Sequence, residues 1–348
     1  MDSPPLDIED RAACERYLIA AGHAHAGDVV EHKILAGGVS GRTVLVAFAD
    51  GRRWVLKQAL AKLRVAADWF SDPNRIHREA LGMRVLGELA PPGSIPKLIF
   101  DDETHHVIGM EAVPEPHENW KEMLLKEKVQ PFHAIDFGRL LGAIHLHSRH
   151  RRRELRPLFE DTSFFEALRI EPYYEYVAAN VQEASEFLSE LVADTRKNRE
   201  SLVHGDYSPK NVLIHRNRLV LLDHEVIHWG DPTFDVGFGL THLLSKTHHL
   251  HSGLLQNSAI AFWGTYVATI ARDWLADPEL DFGGFSFRAV RQTLGCLLAR
   301  VAGRSPLEYL TSEQRERQRK VVLDMMQTPP AEPKELIERF TNEISACP

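Results

Sequence analysis

The sequence predicts an α+β fold built as two lobes, a small β-rich N-terminal lobe and a larger, mainly helical C-terminal lobe. Its 348 residues suffice for two domains or for one fold built as two lobes. Runs typical of strands are concentrated between residues 30 and 112, whereas mostly helical patterns follow. A proline-punctuated segment, VPEPHEN, stands at this change and fits a connection between lobes. We therefore expect an N-terminal lobe over residues 1–112 and a C-terminal lobe over residues 113–348.

Composition and charge are those of an ordinary soluble globular protein and disfavour several other classes. Apolar residues make up 44% of the chain, and 41 Lys and Arg stand against 49 Asp and Glu, for a net charge of −8. This balance shows no basic bias toward nucleic acid or anionic membranes, so we expect neither as a partner. The basic run at residues 149–153 is interpreted as a solvated loop or helix end. No apolar run approaches the ~18 residues of a membrane-spanning helix.

The cysteines and histidines indicate a reducing compartment rather than a metal centre. Cys14, Cys296 and Cys347 are odd in number, far apart and without a CxxC pair, which favours a cytoplasmic protein. The N-terminus is acidic and lacks the basic start and apolar stretch of a secretory signal. The 19 histidines include no HExxH motif and have no cysteine partners, so a zinc site is not expected.

The first sixty residues predict one helix followed by three strands. The helix is expected around Ile8–Ala21 and the strands within residues 30–58. Asp50-Gly51 separates the second and third strands and predicts a type I′ hairpin turn, in which both central residues have positive φ. The connection between the first two strands holds Gly37, Gly38 and Gly41, where a chain without Cβ atoms can approach a ligand and offer N–H groups.

Asp72-Pro73 predicts the start of the next helix, since Asp caps helices and Pro suits their first position. The helix is expected to run to about Leu89. Glu79 falls on the same face as an apolar stripe within it. Because a carboxylate on a buried face needs a cationic partner, Glu79 is expected to have one.

The remaining elements are predicted from shorter patterns. Strand-like runs at Lys97–Phe100 and His106–Ala112 bracket a turn at Asp101-Asp102. Helical patterns then cover residues 133–147, 163–178 and 181–194 and several segments after residue 233. Residues 202–222 are the exception and predict a loop, a strand, a turn and a strand.

The segment His-Gly-Asp-Tyr-Ser-Pro-Lys-Asn at residues 204–211 carries the strongest chemical signal. In phosphoryl transfer, an Asp accepts the substrate hydroxyl proton, an Asn five residues later holds a metal, and a second Asp holds the ions that bridge the nucleotide phosphates. Asp206, Asn211 and Asp223 have this order and spacing. Hard oxygen ligands suit Mg²⁺. The alternative, a turn with solvated acids, is disfavoured by the apolar strands of the hairpin between Asn211 and Asp223.

Upstream residues match the nucleotide-holding half of the same constellation. Lys57 lies on the third predicted strand and Glu79 on the following helix, as do the phosphate-binding lysine and its glutamate partner in kinases. The glycine-bearing loop precedes them by one hairpin. The chain has neither a Walker A lysine motif nor a GxSxG nucleophile elbow, so P-loop and α/β-hydrolase enzymes are not expected.

Together these motifs resemble the aminoglycoside phosphotransferase and choline kinase superfamily, which has a protein-kinase-like fold. Within it, the pattern is most similar to methylthioribose kinase-like phosphotransferases. The resemblance covers both lobes, from about Leu35 to Leu240, through the motifs LAGGVSGRTVLV, WVLKQAL, HREALGMRVL, VIGMEAVPEP, LVHGDYSPKNVLI and LLDHEVIHWGDPTFDVGFGL. The short interval from Asp223 to Asp231 leaves little room for an activation segment, so a protein substrate is not expected.

The resemblance implies how a nucleotide would be held. Met110, Glu111 and Ala112 would form the hinge that offers backbone hydrogen bonds to adenine. Gly38, Ser40 and Arg42, in and beside a loop that departs from the GxGxxG pattern, would hold the triphosphate together with backbone amides.

The resemblance also implies roles on the metal and acceptor sides. Glu225 would join Asp223 at the metal, whereas Asp231 and Asp235 would hold the following loop and helix. Substrate recognition would fall to the helical lobe, where the candidates are Trp120, Arg300 and Arg304. The two arginines, four residues apart, could face one anionic or hydroxylated ligand, and surface ion pairs are the alternative for both.

The sequence therefore predicts an ATP-dependent kinase that phosphorylates a hydroxyl group of a small molecule such as a sugar, an amino alcohol or an antibiotic-like natural product. ATP, or alternatively GTP, and Mg²⁺ would be its cofactors. Two alternatives stay open: an antibiotic-resistance phosphotransferase of the aminoglycoside type, and a catalytically silent nucleotide-binding scaffold. The acidic net charge permits a polycationic acceptor without requiring one.

Overall fold

The fold is the predicted α+β arrangement, with a sheet in the N-terminal part and helices in the C-terminal part. The computed structural model describes residues 6–35, 41–62, 71–274 and 281–346. The first part contains α1 (Arg11–Ala20), β1 (Val29–Ile34), β2 (Gly41–Phe48), β3 (Arg53–Ala59), α2 (Arg75–Leu89), β4 (Leu98–Asp102) and β5 (Val107–Glu111). Its strands form one antiparallel sheet in the order β1-β2-β3-β5-β4.

Different helices cover the two faces of this sheet, and the alternation along β3 assigns each side chain to a face. Trp54 and Leu56 pack with α1 on one face. Val55 and Ala59 pack with α2 on the other. Because successive side chains of a strand point to opposite faces, Lys57 lies on the α2 face with Val55 and Ala59. The alternation of side chains along β3 therefore places Lys57 on the face of the sheet that α2 covers.

The hairpin between β2 and β3 forms at the predicted place but with a different turn. Gly51 has a φ of 87°, whereas Asp50 is not among the residues with positive φ. The Phe48 N–H donates to the Arg52 carbonyl at 2.9 Å, and the Gly51 N–H donates to the Phe48 carbonyl at 3.0 Å. The loop is therefore a three-residue connection closed by a left-handed glycine, not a two-residue type I′ turn.

Helix α2 begins at Arg75 rather than at Pro73. The predicted cap at Asp72 is wrong, because Asn74 is the N-cap residue; the Asp72 carboxylate accepts from the Asn74 N–H at 2.9 Å and so stabilises the turn that precedes the helix. The predicted apolar stripe of α2 is buried as expected, and Glu79 on the same face is 1% exposed.

Asp101 and Asp102 lie within β4, and the turn predicted at them follows instead at residues 103–106. The Tyr17 hydroxyl donates to Asp102 Oδ2 at 2.8 Å, and the His77 Nδ1–H donates to Asp101 Oδ1 at 2.5 Å. These partners come from α1 and α2, so a local pattern could not reveal them.

The part beyond β5 is mainly helical. Its strands are β6 (His117–Asn119), β7 (Ser201–Val203), β8 (Val212–His215), β9 (Arg218–Leu221) and β10 (His228–Gly230), arranged as a three-stranded sheet β6-β8-β9 and a pair β10-β7. Its helices are α3 (Trp120–Leu125), α4 (Pro131–His150), α5 (Arg152–Leu155), α6 (Ser163–Phe165), α7 (Tyr176–Asn180), α8 (Ser185–Lys197), α9 (Thr233–Leu250), α10 (Gly253–Trp274), α11 (Phe282–Ala302), α12 (Ser312–Gln327) and α13 (Pro333–Ala346). Residues 166–175 join α6 to α7 as wide π-helical turns. The division of the chain after residue 112 stays a prediction.

Three sequence features can now be located. The basic run at residues 149–153 spans the junction of α4 and α5, where Arg151 lies 2.7 Å from Glu88. Cys14 and Cys296 are buried and unpaired, and Cys347 lies outside the described residues. Within the described ranges, no helix is both long and apolar enough to cross a membrane.

Gly138 allows α4 to lie directly against α10. A Cβ added there would stand 2.3 Å from the Phe262 carbonyl oxygen and 3.0 Å from the Tyr266 nitrogen. The neighbouring residue of α4, Phe137, stacks on Tyr207 at 4.1 Å between ring centroids and accepts a hydrogen bond from its hydroxyl at 2.7 Å. The close approach of these two helices therefore supports the segment at residues 204–211.

We predict that Gly138→Ala lowers the free energy of unfolding by about 1–3 kcal/mol, because backbone atoms must move to admit the methyl group. Gly264→Ala is the matched control on α10, since nothing lies within 4 Å of its added Cβ. The control should stabilise the protein by about 0.5–1 kcal/mol through helix propensity. Urea denaturation of both variants checks this pair, and equal changes would contradict it.

Candidate active site

The loop that connects β7 to β8 carries the predicted catalytic aspartate, and a buried carboxylate fixes its backbone. Asp235 of α9 accepts hydrogen bonds from the N–H groups of His204 at 2.7 Å and Gly205 at 2.8 Å. His145 Nε2 lies 3.2 Å from the same carboxylate. Gly205 has a φ of 77°, where a residue with a Cβ would be strained. Asp235, expected to hold the segment after it, therefore also anchors the loop before it.

The Asp206 carboxylate is held from two sides. Asn211 Nδ2 donates to Asp206 Oδ2 at 2.7 Å and to the Asp206 carbonyl at 3.0 Å. The Arg169 guanidinium lies 3.0 Å from the same Oδ2, and its Nε donates to the Gly205 carbonyl at 2.8 Å. In the part of the chain that the structure describes, Asp206 Oδ1 has no hydrogen-bond partner. One carboxylate oxygen is thus used for positioning and the other is left for a ligand.

Arg169 is a site residue that sequence reasoning missed. It lies in the π-helical turns between α6 and α7, inside a segment predicted only as a helix. Its guanidinium stands over the rings of Tyr173 and Phe238, at 5.8 Å and 5.9 Å from their centroids. No motif marks it, because the fold alone brings residue 169 beside residue 206.

Lys57, Glu79 and Asp223 form one buried ionic group. Lys57 Nζ lies 2.7 Å from both oxygens of Glu79 and 2.9 Å from Asp223 Oδ1. Burial alone would lower the pKa of Lys57, but Asp223 and Glu79 raise it above its ordinary value. Burial likewise opposes ionisation of Asp223, yet Lys57 and Lys210 hold the pKa of Asp223 below its usual range. The sequence predicted the Lys57–Glu79 pair, and the structure adds Asp223 to it.

Asp223 adopts an uncommon backbone conformation, with a φ of 67°. Residues other than glycine rarely occupy this left-handed region, and those that do cluster at functional sites. Asp223 lies two residues beyond the end of β9.

Arg75 is a second residue that sequence reasoning missed. Its side chain is fully buried, and its Nε donates to Glu225 Oε2 at 3.1 Å. Arg75 precedes Glu79 by four residues, so both lie on one face of α2. The spacing of Arg75 and Glu79 could have predicted a role for Arg75, because a carboxylate on a buried face needs a cation nearby.

The three predicted metal ligands offer oxygen atoms of the kind that Mg²⁺ prefers. Asn211 Oδ1, Asp223 Oδ2 and Glu225 Oε1 have no hydrogen-bond partner among the described side chains and backbone groups, whereas their companion atoms are engaged. Within the described ranges, His, Cys, Asp and Glu form no group of three that could hold an ion by themselves. A metal here would complete its shell with phosphate oxygens or water, as Mg²⁺ commonly does. The donor set fits, and the roles stay predictions.

In the segment predicted as the adenine hinge, the free backbone N–H belongs to a different residue from the one expected. The Ala112 N–H donates to the Arg53 carbonyl at 2.9 Å, so it is not available to a base. Val113 lines the cleft with Met110 and Glu111. Its N–H has no protein acceptor among the residues described and is the free donor of this segment. The structural reason is that the β3–β5 pairing continues one residue beyond β5 itself.

Of the three glycines in the predicted glycine loop, the structure describes Gly41 alone. Gly38 and Ser40 lie outside the described residues, so their predicted phosphate contacts stay predictions. Gly41 is described, and a Cβ there would stand 2.4 Å from the Gln58 carbonyl oxygen. A glycine is therefore required at residue 41, because the backbone of β3 lies too close there to admit a side chain.

Two of the three predicted substrate residues lie away from the cleft. Trp120 is 1% exposed and packs edge-on against Phe137 in the helical core, so its predicted substrate role is wrong. Arg304 lies beyond the end of α11 and pairs with Glu171 at 3.2 Å, outside the cleft lining. Arg300 does line the cleft. The two arginines therefore do not face one ligand, because the helix that would align them ends at Ala302.

A cleft of about 810 Å³ joins these groups. Its sheet side is lined by Lys57, Glu79, Met110 and Val113, and its helical side by Asp206, Arg169, Tyr173, His242 and Arg300. The ionic group of Lys57 and Glu79 and the predicted catalytic residue Asp206 thus open into one continuous space.

Lys246 of α9 lies buried behind the helical side. Its Nζ donates to the His242 carbonyl at 3.1 Å and stands 5.1 Å above the Tyr309 ring. Burial lowers the pKa of Lys246 to about 7, and the charges of Lys121 and Arg300 lower it in the same direction.

We predict that Arg169→Met reduces turnover about 10- to 100-fold while leaving nucleotide affinity within twofold, since it misplaces Asp206 and not the nucleotide groups. Arg169→Lys should recover part of the loss, because it restores the charge beside Asp206. The matched control is Arg196→Met, whose exposed side chain pairs with Glu166 and Glu175. Steady-state kinetics and nucleotide titration check this, and equal losses in both arginine variants would contradict a positioning role.

We predict that Lys246→Met raises the free energy of unfolding by about 1–3 kcal/mol at pH 7, because it removes a buried cation. The folded-state pKa of about 7 lies below the ordinary 10.5. The unfolded chain therefore binds more protons between these values, and wild-type stability rises with pH across that window. The variant should lack this rise. Urea denaturation at pH 7, 8.5 and 10 measures it, and parallel pH profiles of the two proteins would refute it.

The sequence of this chain is similar to those of known kinases. A methylthioribose kinase of Yersinia enterocolitica serotype O:8 is 28% identical over an alignment of 222 residues, and the match covers 55% of this chain and 54% of that protein. The methylthioribose kinase of Pectobacterium carotovorum subsp. carotovorum is 25% identical over an alignment of 334 residues, and that match covers 77% of this chain and 80% of that protein. The chain thus spans about half the length of the first of these relatives and most of the second.

A solved structure shares the fold. Amicoumacin kinase, in complex with AMP-PNP, Ca²⁺ and Ami, covers 92% of this chain and 95% of its own, with 16% identity and a TM-score of 0.54. Residues 31–280 match the family described as “Phosphotransferase enzyme family”. That match takes in well over half of the 348 residues and the whole of the constellation from Lys57 to Asp235. The predicted resemblance is confirmed: this chain belongs to the phosphotransferase enzyme family.

Proposed function

We propose that the protein is an ATP-dependent kinase that transfers the γ-phosphoryl group to a hydroxyl of a small molecule. The observation that carries this proposal is the shared cleft. Lys57, bound to Glu79 and Asp223, and Asp206, bound to Asn211, line the same space of about 810 Å³. These are the groups that hold nucleotide phosphates and orient an attacking hydroxyl in phosphoryl transfer.

The sheet side of the cleft holds the nucleotide. Adenine lies beside Met110 with the Val113 N–H as donor, and Lys57 binds the α- and β-phosphates. The complex of amicoumacin kinase with AMP-PNP and Ca²⁺ supports a nucleotide and a divalent cation as ligands of this fold. In the present chain Asn211, Asp223 and Glu225 hold Mg²⁺. When bound, the ion neutralises charge on the phosphate oxygens.

Asp206 serves the acceptor. Its Oδ1 accepts a hydrogen bond from the substrate hydroxyl and so aims the hydroxyl oxygen at the γ-phosphorus. As the new P–O bond forms and the bond to the β-phosphate oxygen breaks, the hydroxyl proton passes to Oδ1 and ADP leaves. Arg169 and Asn211 keep Oδ2 occupied, which prevents the carboxylate from turning away. Lys210, exposed on the same loop, adds positive charge beside Asp223.

A small acceptor is favoured over a polypeptide. Only a few residues separate Asp223 from β10, and α9 begins at Thr233, so the chain has no long segment here on which a peptide could lie. The methylthioribose kinases among its relatives support a hydroxylated small molecule. We further propose that the nucleotide part comprises residues 1–112, that the acceptor part comprises residues 113–348, and that the protein acts in the cytoplasm, where its buried free cysteines stay reduced.

We predict that two substitutions separate the halves of this site. Asp206→Asn should lower turnover about 10²- to 10⁴-fold and leave nucleotide affinity within twofold, because it removes only the proton acceptor. Lys57→Ala should instead weaken nucleotide binding at least tenfold. ADP release with ATP and with GTP, over sugars, amino alcohols and antibiotics, measures turnover, and titration with AMP-PNP·Mg²⁺ measures affinity.

Asp136→Asn, on the exposed face of α4, is the control and should match wild type in both assays. Near wild-type turnover of Asp206→Asn would refute the role of Asp206. Tight AMP-PNP·Mg²⁺ binding without ADP release from any acceptor would instead identify a nucleotide-binding scaffold.

A further inference from the structure

The far end of the cleft, on its helical side, carries an excess of positive charge. We call this region the basic end and define it by Lys121, Tyr173, His242, Arg300 and Ser305, all of which line the cleft. Lys246 adjoins it one turn along α9 from His242. None of these residues takes part in the phosphoryl-transfer steps described above.

Arg300 is held in place by neutral groups, and Glu308, whose pKa the charge of Arg300 helps to lower, lies outside ion-pair distance of it. Its Nη1 donates to the Tyr173 hydroxyl and to Ser305 Oγ, both at 3.0 Å, and the guanidinium stands 5.6 Å over the Tyr173 ring. Among the residues that the structure describes, no carboxylate lies within ion-pair distance of it, and its buried Nε has no partner. A planar cation held by neutral groups at a cavity wall is prepared for a carboxylate or phosphate, which bind guanidinium through two parallel hydrogen bonds.

The other charged groups near the basic end do not neutralise the charge of Arg300. Lys121 pairs with Glu308, whose side chain is 64% exposed. Glu122 also lines the cleft, but it is exposed and lies 3.7 Å from Lys126. Lys246 is buried, and its one hydrogen-bond acceptor is a neutral carbonyl. Burial, and after it the charges of Lys121 and Arg300, lower the pKa of Lys246, whereas the charge of Glu308 opposes this shift.

His242 supplies an unpartnered polar group at the cavity wall. Its side chain is 6% exposed, lines the cleft, and makes no hydrogen bond to any group in the described ranges. Burial and then the charges of Lys246, Arg300, Lys121 and Lys210 lower its pKa well below the ordinary value. A neutral imidazole among cations can donate one hydrogen bond to an incoming oxygen.

A chain of contacts links the basic end to Asp206. Arg169 contacts the Asp206 carboxylate and stands over the Tyr173 ring, and the hydroxyl of that tyrosine accepts a hydrogen bond from Arg300. Tyr173 therefore connects the residue that positions Asp206 with Arg300, and all of them line the same cleft.

We propose that the phosphate acceptor carries, besides its hydroxyl, an anionic group, a carboxylate or a phosphate, that binds Arg300, Lys121 and His242 at the basic end. This inference rests on the proposed kinase function and names its substrate class. An uncompensated cation in a partly buried cavity is costly, and an anionic ligand removes that cost. Choline-like or polycationic aminoglycoside acceptors would meet like charge instead, so the basic end disfavours them.

Calorimetric titration in the presence of saturating AMP-PNP·Mg²⁺ tests the proposal, because the analogue fills the nucleotide side and prevents transfer. The probes are glycerol 3-phosphate and 3-hydroxybutyrate as anions, glycerol as the neutral compound and choline as the cation. We expect at least one anion to bind tenfold or more tightly than glycerol and choline. The preferred anion then distinguishes a phosphate from a carboxylate group.

Three variants make the test specific. Arg300→Met should weaken binding of the preferred anion at least tenfold without changing AMP-PNP affinity. Glu308→Gln should tighten it at least twofold, since it frees Lys121, and a misfolded protein could not produce this gain. Arg304→Met, outside the cleft, should match wild type.

Several results would overturn the proposal: no binding of either anion, equal or tighter binding of glycerol or choline, or an Arg300→Met variant that binds as wild type does. Failure of the kinase function is distinct, since it would show as absent ADP release while anion binding persists. Conversely, ADP release that prefers neutral or cationic acceptors would refute the basic end as an acceptor site and leave the kinase function intact.

Discussion

The buried contact of Lys57 with Glu79 and Asp223 is the interaction on which the site depends. It joins three elements far apart in sequence, β3, α2 and the segment after β9, within hydrogen-bond distance of one ammonium group. Taking these charges out of water is costly unless each has a partner. Arg75 extends the arrangement by binding Glu225 from α2. These charge pairs therefore hold the sheet and the helical part together at the place where the proposed function locates the phosphates.

Much of the fold and of the site could be predicted because the signals were local. Strand alternation and the spacing of Asp206, Asn211 and Asp223 are properties of short segments, and they led to the confirmed fold class and family. Arg169 was missed because only tertiary packing brings it to Asp206. Trp120 was misjudged because its neighbours in sequence line the cleft while its own ring turns into the core.

Several of the 19 histidines make hydrogen bonds inside the protein. His204 receives the Asp206 N–H on one ring nitrogen and donates to the Leu222 carbonyl with the other, which requires the neutral form. Burial lowers its pKa, and it does the same for His228. Imidazole suits such places because, when neutral, it offers one donor and one acceptor in a rigid ring. Sequence alone could not predict these hydrogen bonds, because their partners come from distant segments or depend on the ring orientation.

Helix α9 connects the loop that presents Asp206 to the basic end. Asp235, in its first turn, fixes the loop that presents Asp206, and His242, seven residues further on, lies at the basic end. At 1.5 Å per residue, about 10 Å of helix separates the two positions. An α-helix is stiff along its axis, so this distance does not adjust to the ligand. If the acceptor binds as proposed, this fixed helix therefore sets the separation between the group that takes the hydroxyl and the group that takes the anion.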